Sequence, residues 1–103
     1  MTNVMDLQKM IKAAKEMQDR LQKELGGLRA EGSSGGGMVS VVLDGHKALR
    51  SIRIDPEVAG QDDVDMLQDL IVAAFNDAAA KVDEVLAQKL GGLGAGLKVP
   101  GLL

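Results

Sequence analysis

Apolar residues recur at Leu7, Met10, Ala14, Met17, Leu21 and Leu28. This is the stripe of a coiled-coil-like helix of about three heptads. Leu25 flanks the seam where Glu24 interrupts it. Asn3 is placed to cap this helix, with Asp6 in the capping-box position. Gly26-Gly27 is a stop signal, giving a helix of about 22 residues, on the order of 33 Å long. The period then changes. Leu28-Arg29-Ala30-Glu31-Gly32 alternates and predicts a short first strand, and Ser33-Ser34-Gly35-Gly36-Gly37 predicts a flexible loop. Two β-rich runs, Met38 to Asp44 and Lys47 to Asp55, flank a turn at Gly45-His46, the signal of a hairpin. Val39, Val41 and Leu43 share one strand face, and Ile52 and Ile54 match them. Pro56 has no N–H to donate, so the second run stops at Asp55.

A second helix is predicted from about Val64 to Leu90, capped by Asp62 with Asp65 in the box position and stopped by Gly91-Gly92. Its stripe is Leu67, Leu70, Ile71, Ala74, Ala78, Val82 and Val85, with Phe75 beside Ile71. These positions are expected to pack on the sheet and on the first helix. The stretch Lys81 to Leu90 runs past a three-stranded sheet and is expected to protrude. The fold class is therefore α+β: α-β-β-β-α, with a small antiparallel sheet between two long helices. Residues 1–90 form a single domain, and residues 91–103 a flexible Gly/Leu-rich tail, expected to fray or to dock on a protein partner.

Composition changes this picture in one respect. Phe75 is the sole aromatic residue among 103. Aromatic side chains normally supply much of the buried area, so this core is thin, and a second copy of the chain would add burial. A homodimer is expected. There is no Cys, which excludes disulfides, thiolate metal sites and Cys nucleophiles and fits a reducing cytoplasm. The N-terminus lacks the layout of a signal peptide, and no apolar run is long enough to cross a bilayer, so no membrane association is expected.

The net charge of −3 argues against a polyanionic partner, but the charges are unevenly placed. Residues 1–29 carry six Lys or Arg against four acids, whereas residues 55–84 carry nine acids against Lys81 alone. A phosphate senses the local field, not the sum. At helical spacing Lys9, Lys12, Arg20 and Lys23 fall within roughly 80° of one another, opposite the apolar seam, with Lys15 at the border. Glu16 and Asp19 interleave with them, four residues before Arg20 and Lys23. A solvated face laced by intrahelical ion pairs and a basic stripe for phosphate both fit this pattern. Arg50 and Arg53, three positions apart on a strand, point to opposite faces.

Other chemistry finds little support. The glycine run lacks the Gly-Lys-Ser/Thr of a phosphate loop and precedes a strand. His46, the sole His, reads as a turn residue, since neither a zinc site nor a catalytic pair has partners for it. Asp62, Asp63 and Asp65 suit a helix N-terminus better than a cation loop. No enzyme activity, cofactor or metal is expected.

Taken in order, Gly-Gly-Gly-Met38-Val39-Ser40-Val41, Asp44-Gly45, Ser51-Ile52-Arg53-Ile54-Asp55-Pro56, the run Asp65 to Ala78 with Ala73-Ala74-Phe75-Asn76-Asp77-Ala78 at its end, and Pro100-Gly101-Leu102 resemble the YbaB/EbfC family of bacterial nucleoid-associated proteins. The resemblance covers nearly the whole chain. It implies a tweezer-like α/β/α homodimer, duplex DNA binding with low sequence specificity, and a place in the nucleoid and in chromosome organisation. It also implies DNA contacts at the tweezer tips: Lys9, Lys12 and Lys15 on the first helix, Lys81 and Lys89 on the second, and Lys98 on the tail. Lys23 joins them from the basic stripe. The alternative is a helical protein-interaction scaffold without direct DNA binding, which the acidic balance favours.

Overall fold

The computed structural model describes residues 4–60 and 62–91. The chain runs through α1 (Val4–Gly27), β1 (Ala30–Ser34), a 3-10 turn (Gly35–Gly37), β2 (Val39–Leu43), β3 (Leu49–Ile54), α2 (Pro56–Ala59) and α3 (Val64–Gly91). The α-β-β-β-α order is the expected one. The residues expected to form the tail lie, from Gly92 onward, outside the described residues, as does Asn3, the expected cap of α1.

The strands form one antiparallel sheet in the order β1-β2-β3. Gly32 pairs with Val41, and Val41 with Ile52, across the sheet. Val39, Val41 and Leu43 therefore share a face and are almost fully buried beneath α3. The helix presents Ala74, Ala78 and Val82 to them, all 0 % exposed, with Leu67, Leu70, Ile71, Phe75 and Leu86 around the margin. The predicted stripe of α3 is thus the packed one from Leu67 to Val82, but beyond that Leu86 rather than the expected Val85 meets the core.

The approach of α3 to β1 is unusually close. A Cβ built on Gly32 would overlap the backbone of Ala74 and Ala78. Strand and helix meet main chain to main chain there, and only glycine permits it. Polar groups then lace the same seam. Ser34 Oγ donates to Leu70 O at 2.5 Å, Ser33 N donates to Asp77 Oδ2 at 3.0 Å, and Lys81 Nζ donates to Glu31 O at 3.1 Å. The Ser33 and Glu31 backbone groups belong to the edge of β1 that β2 does not pair. Asp77 and Lys81 thereby close that edge, which would otherwise offer unpaired donors and acceptors to another chain. Among the described residues the edge of β3 has no such cover, and Leu49 and Ile52 on it are exposed.

Several expectations need correction. Ser33 and Ser34 belong to β1, not to the glycine loop, because they pair with Ser40 and Val39. The cap of α3 is Asp63, whose carboxylate accepts from Met66 N at 2.9 Å, not Asp62. Asp55 caps a short helix that was not foreseen, accepting from Glu57 N at 2.9 Å. The α3 stripe does not pack on α1: none of the α1 residues is buried. Protrusion of α3 begins later than Lys81, because Val82 is fully buried and Leu86 still touches the core. The strict alternation assumed for Arg50 and Arg53 fails at a bulge, where Val42 pairs with Ser51 and Leu43 with Leu49, leaving Arg50 as the extra residue.

Two outcomes follow. Replacing Gly32 with Ala must lift α3 off β1 and is expected to destabilise the protein by about 3 kcal/mol in urea unfolding. Asp77 is held below the ordinary carboxylate range, first by the Ser33 N–H and then by Lys81. Asp44 is held low first by the Ala48 N–H, with burial opposing. The unfolded chain then binds more protons than the folded one, so this stability is fully present above about pH 4 and is lost as pH falls through the lower folded values. Asp77→Asn is expected to flatten that acid limb, measured as the midpoint of urea unfolding against pH.

Candidate nucleic-acid interface

α1 carries most of the predicted site residues, so its placement decides what they can do. The helix amphipathicity that would normally be satisfied by a core is left open. Leu7 is 52 % exposed, Met10 64 %, Met17 68 % and Leu21 47 %. Among the described residues the helix is attached to the body at its C-terminal end alone. There Gly45 N donates to Leu25 O at 2.7 Å, and Leu28 N to Glu24 O at 3.0 Å. Arg29 folds back, its Nη1 donating to Gly26 O at 2.7 Å and to Leu28 O at 2.9 Å. These bonds satisfy carbonyls that the end of a helix leaves without partners, and the guanidinium suits the negative end of the dipole.

Gly45 lies in the loop of residues 44–48 that joins β2 to β3. The same loop meets α3, through Lys47 Nζ to Asp83 Oδ1 at 2.7 Å. The start of α3 lies at the opposite end of the sheet, with Leu70 against Gly35. Both long helices therefore leave the sheet at its loop end. The molecule measures 71 × 25 × 18 Å, and α1, at about 36 Å, supplies much of the long dimension.

Lys9, Lys12, Lys15 and Lys23 are all exposed on this projecting rod. Among the described residues the ion pairs are Lys47–Asp83, Arg50–Asp44 and Lys81–Asp77, and none of the α1 lysines takes part. The pairs expected between Glu16 and Arg20 and between Asp19 and Lys23 do not form. From Lys9 to Lys23 the rod spans about 21 Å. Such a run of flexible ammonium groups matches a line of phosphates as point charges, without the planar fork that reads a base edge. Lys81 sits elsewhere, on the sheet, engaged by Asp77 Oδ2 at 3.3 Å and Glu31 O. It is not brought together with the α1 lysines. Lys89 is exposed in the last turn of α3. Lys98 lies outside the described residues.

Elsewhere the surface is chemically plain. The outer face of the sheet has a shallow depression of ≈ 340 Å³ lined by Glu31, Ser40, Val42, Ser51, Ile52 and Arg53. It has no aromatic wall and no convergent set of donors. His46 is exposed, and its backbone N–H is taken by Asp44 Oδ1 at 2.8 Å. Among the described residues no cluster of His, Cys, Asp or Glu is arranged to hold a metal ion, and no helix is long and apolar enough to cross a membrane. Sequence reasoning missed the loop of residues 44–48 as part of the site. Asp44-Gly45 reads as a hairpin signal, and nothing in that signal says that Gly45 reaches another helix.

Comparison with known proteins bears on the same rod and sheet. The chain is similar to a nucleoid-associated protein of Syntrophobacter fumaroxidans, 45% identical over 92 residues, covering 89% of this chain and 84% of the relative. It is similar to another of Bartonella tribocorum, 42% identical with 92% of each chain covered, and to one of Brucella ovis at 44% with the same coverage. Among solved structures an uncharacterized protein of Helicobacter pylori shares the fold, with a TM-score of 0.71 at 24% identity over 90% of this chain and 98% of that one. The sequence profile described as the YbaB/EbfC DNA-binding family matches residues 1–97, so by that match and by those relatives the chain belongs to the YbaB/EbfC DNA-binding family.

Proposed function

We propose that this chain is a nucleoid-associated protein that grips duplex DNA as a homodimer, mainly through phosphates and with little regard to sequence. One observation carries the reading: α1 stands clear of its own body with one face of unpaired lysines and another of uncovered Leu and Met. The apolar face argues for the second copy. A helix draws most of its stability from burying a face, and α1 buries none within its chain. Exposed Leu49 and Ile52 beside an unpaired strand edge add to the apolar surface that a second copy would cover.

The lysine face argues for phosphate. The acids of residues 55–84 lie on the body, whereas the rod carries five Lys or Arg against Asp6, Glu16, Asp19 and Glu24, so its field is the more positive. Lys9, Lys12, Lys15 and Lys23 of two copies would neutralise up to about eight phosphates, with counterion release as the driving term. Lys89, on the end of α3 that leaves the sheet at the same loop end as α1, adds a further charge there. Lys81 acts differently, since it closes the edge of β1. The relatives' names place them in the nucleoid, and the same location follows for this chain from that binding. The described residues offer no pair of groups for catalysis that would point to an enzyme.

The acidic body and the apolar rod favour one rival, a scaffold that binds other proteins through its helices. A salt titration separates the two. Binding to unrelated duplexes is expected to be equal within a few-fold and to fall with a slope of log K on log salt of about −7. Lys12→Ala, present in both copies, is expected to reduce that slope by about 2. Flat binding from low to high salt, or a gel shift unaltered by Lys9, Lys12 and Lys15 all changed to Glu, would leave the scaffold standing. Sedimentation is expected to give the mass of two chains, and Met10→Glu with Met17→Glu to give one.

A further inference from the structure

We propose that the loop of residues 44–48 is the joint that sets the angle of α1 to the body, with Gly45 and Arg29 as its positioning residues. A hairpin loop needs only to return the chain. This one is shaped so that an N–H points outward. Asp44, 4 % exposed, takes two loop donors on one oxygen, His46 N at 2.8 Å and Ala48 N at 3.0 Å. Its own N–H is taken by Ala48 O at 3.0 Å, and its carbonyl by Lys47 N at 3.0 Å. Lys47 adopts φ 63 to close the turn. The loop is satisfied from within, and Gly45 N–H is left to reach Leu25 O in α1.

The contact is fitted to the glycine. A Cβ on Gly45 would stand 2.6 Å from Leu25 O and 2.8 Å from Leu25 Cα. Those are backbone atoms of α1, which cannot turn aside as a side-chain end can. Gly45 itself is not among the residues with positive φ. An alanine there meets no positive-φ strain, and the nearest atoms it would strike all belong to Leu25 of α1. Through the exposed ion pair of Lys47 with Asp83 the same loop also touches α3. Arg29 completes the joint by tying Gly26 O and Leu28 O, one turn from the contact. A small change of angle at Leu25 is carried about 25 Å along the helix to Lys9.

The consequence for DNA rests on the function proposed above, whereas the joint itself does not. The chain has no Cys, so Gln8→Cys on the outer part of α1 and Gln68→Cys on α3 give a clean pair for spin labels. Labelled protein diluted with unlabelled protein reports the distance within one chain. Gly45→Ala is expected to shift or broaden that distance and to weaken duplex binding on the order of tenfold, because two misaligned arms no longer engage together. Circular dichroism checks that α1 and the body remain folded. Should Gly45→Ala fail to fold, Arg29→Met, which keeps the side-chain stem and removes the donors, is expected to broaden the distance in the same way. Unchanged distances in the folded variants overturn the joint, and displaced rods that bind duplex as the wild type does overturn its consequence for DNA. A wild-type protein that binds no duplex, with distances that still shift, supports the joint and sinks the DNA reading instead.

Discussion

One helix lies directly on one strand, and the rest of the molecule follows from that contact. Between Gly32 and the Ala74–Ala78 turn there is no room for a side chain. The close approach brings Val82, Ala78 and Ala74 onto Val39, Val41 and Leu43, a core made without its single aromatic residue at the centre. It also brings Asp77 and Lys81 within reach of the open edge of β1. A core so thin and so local covers one face of two strands. It leaves β3 exposed except at Ile54, and among the described residues it leaves α1 with nothing to lie on.

That shortage is what makes the protein reach. In a domain with a larger core the first helix would fold back on the sheet and bury its Leu and Met stripe. Here the stripe stays in solvent, and the helix is held at its last turn by a glycine N–H and an arginine. Charge divides along the same line. Asp63, Asp55 and Asp77 serve as caps and at the strand edge of the body, while among the described residues the lysines of α1 meet no carboxylate within ion-pair distance. A chain acidic in total thus keeps a slight basic excess on α1, five Lys or Arg against Asp6, Glu16, Asp19 and Glu24.

The sequence alone determined the elements and their faces. The heptad stripe, the alternation of Val39, Val41 and Leu43, and the 3.6-residue stripe of α3 each express a short-range period, and a period is visible without knowing what an element packs against. The lysine face of α1 was legible for the same reason, as was the family. Only the tertiary structure decided what depends on meetings between distant residues. Whether Ser33 and Ser34 were strand or loop turned on Ser40 and Val39 opposite them. Whether Lys81 was an arm residue or a clasp turned on Glu31, fifty positions earlier. That Gly45 bears on Leu25 turned on an angle between helices, and no local pattern encodes an angle, since it arises where two backbones touch.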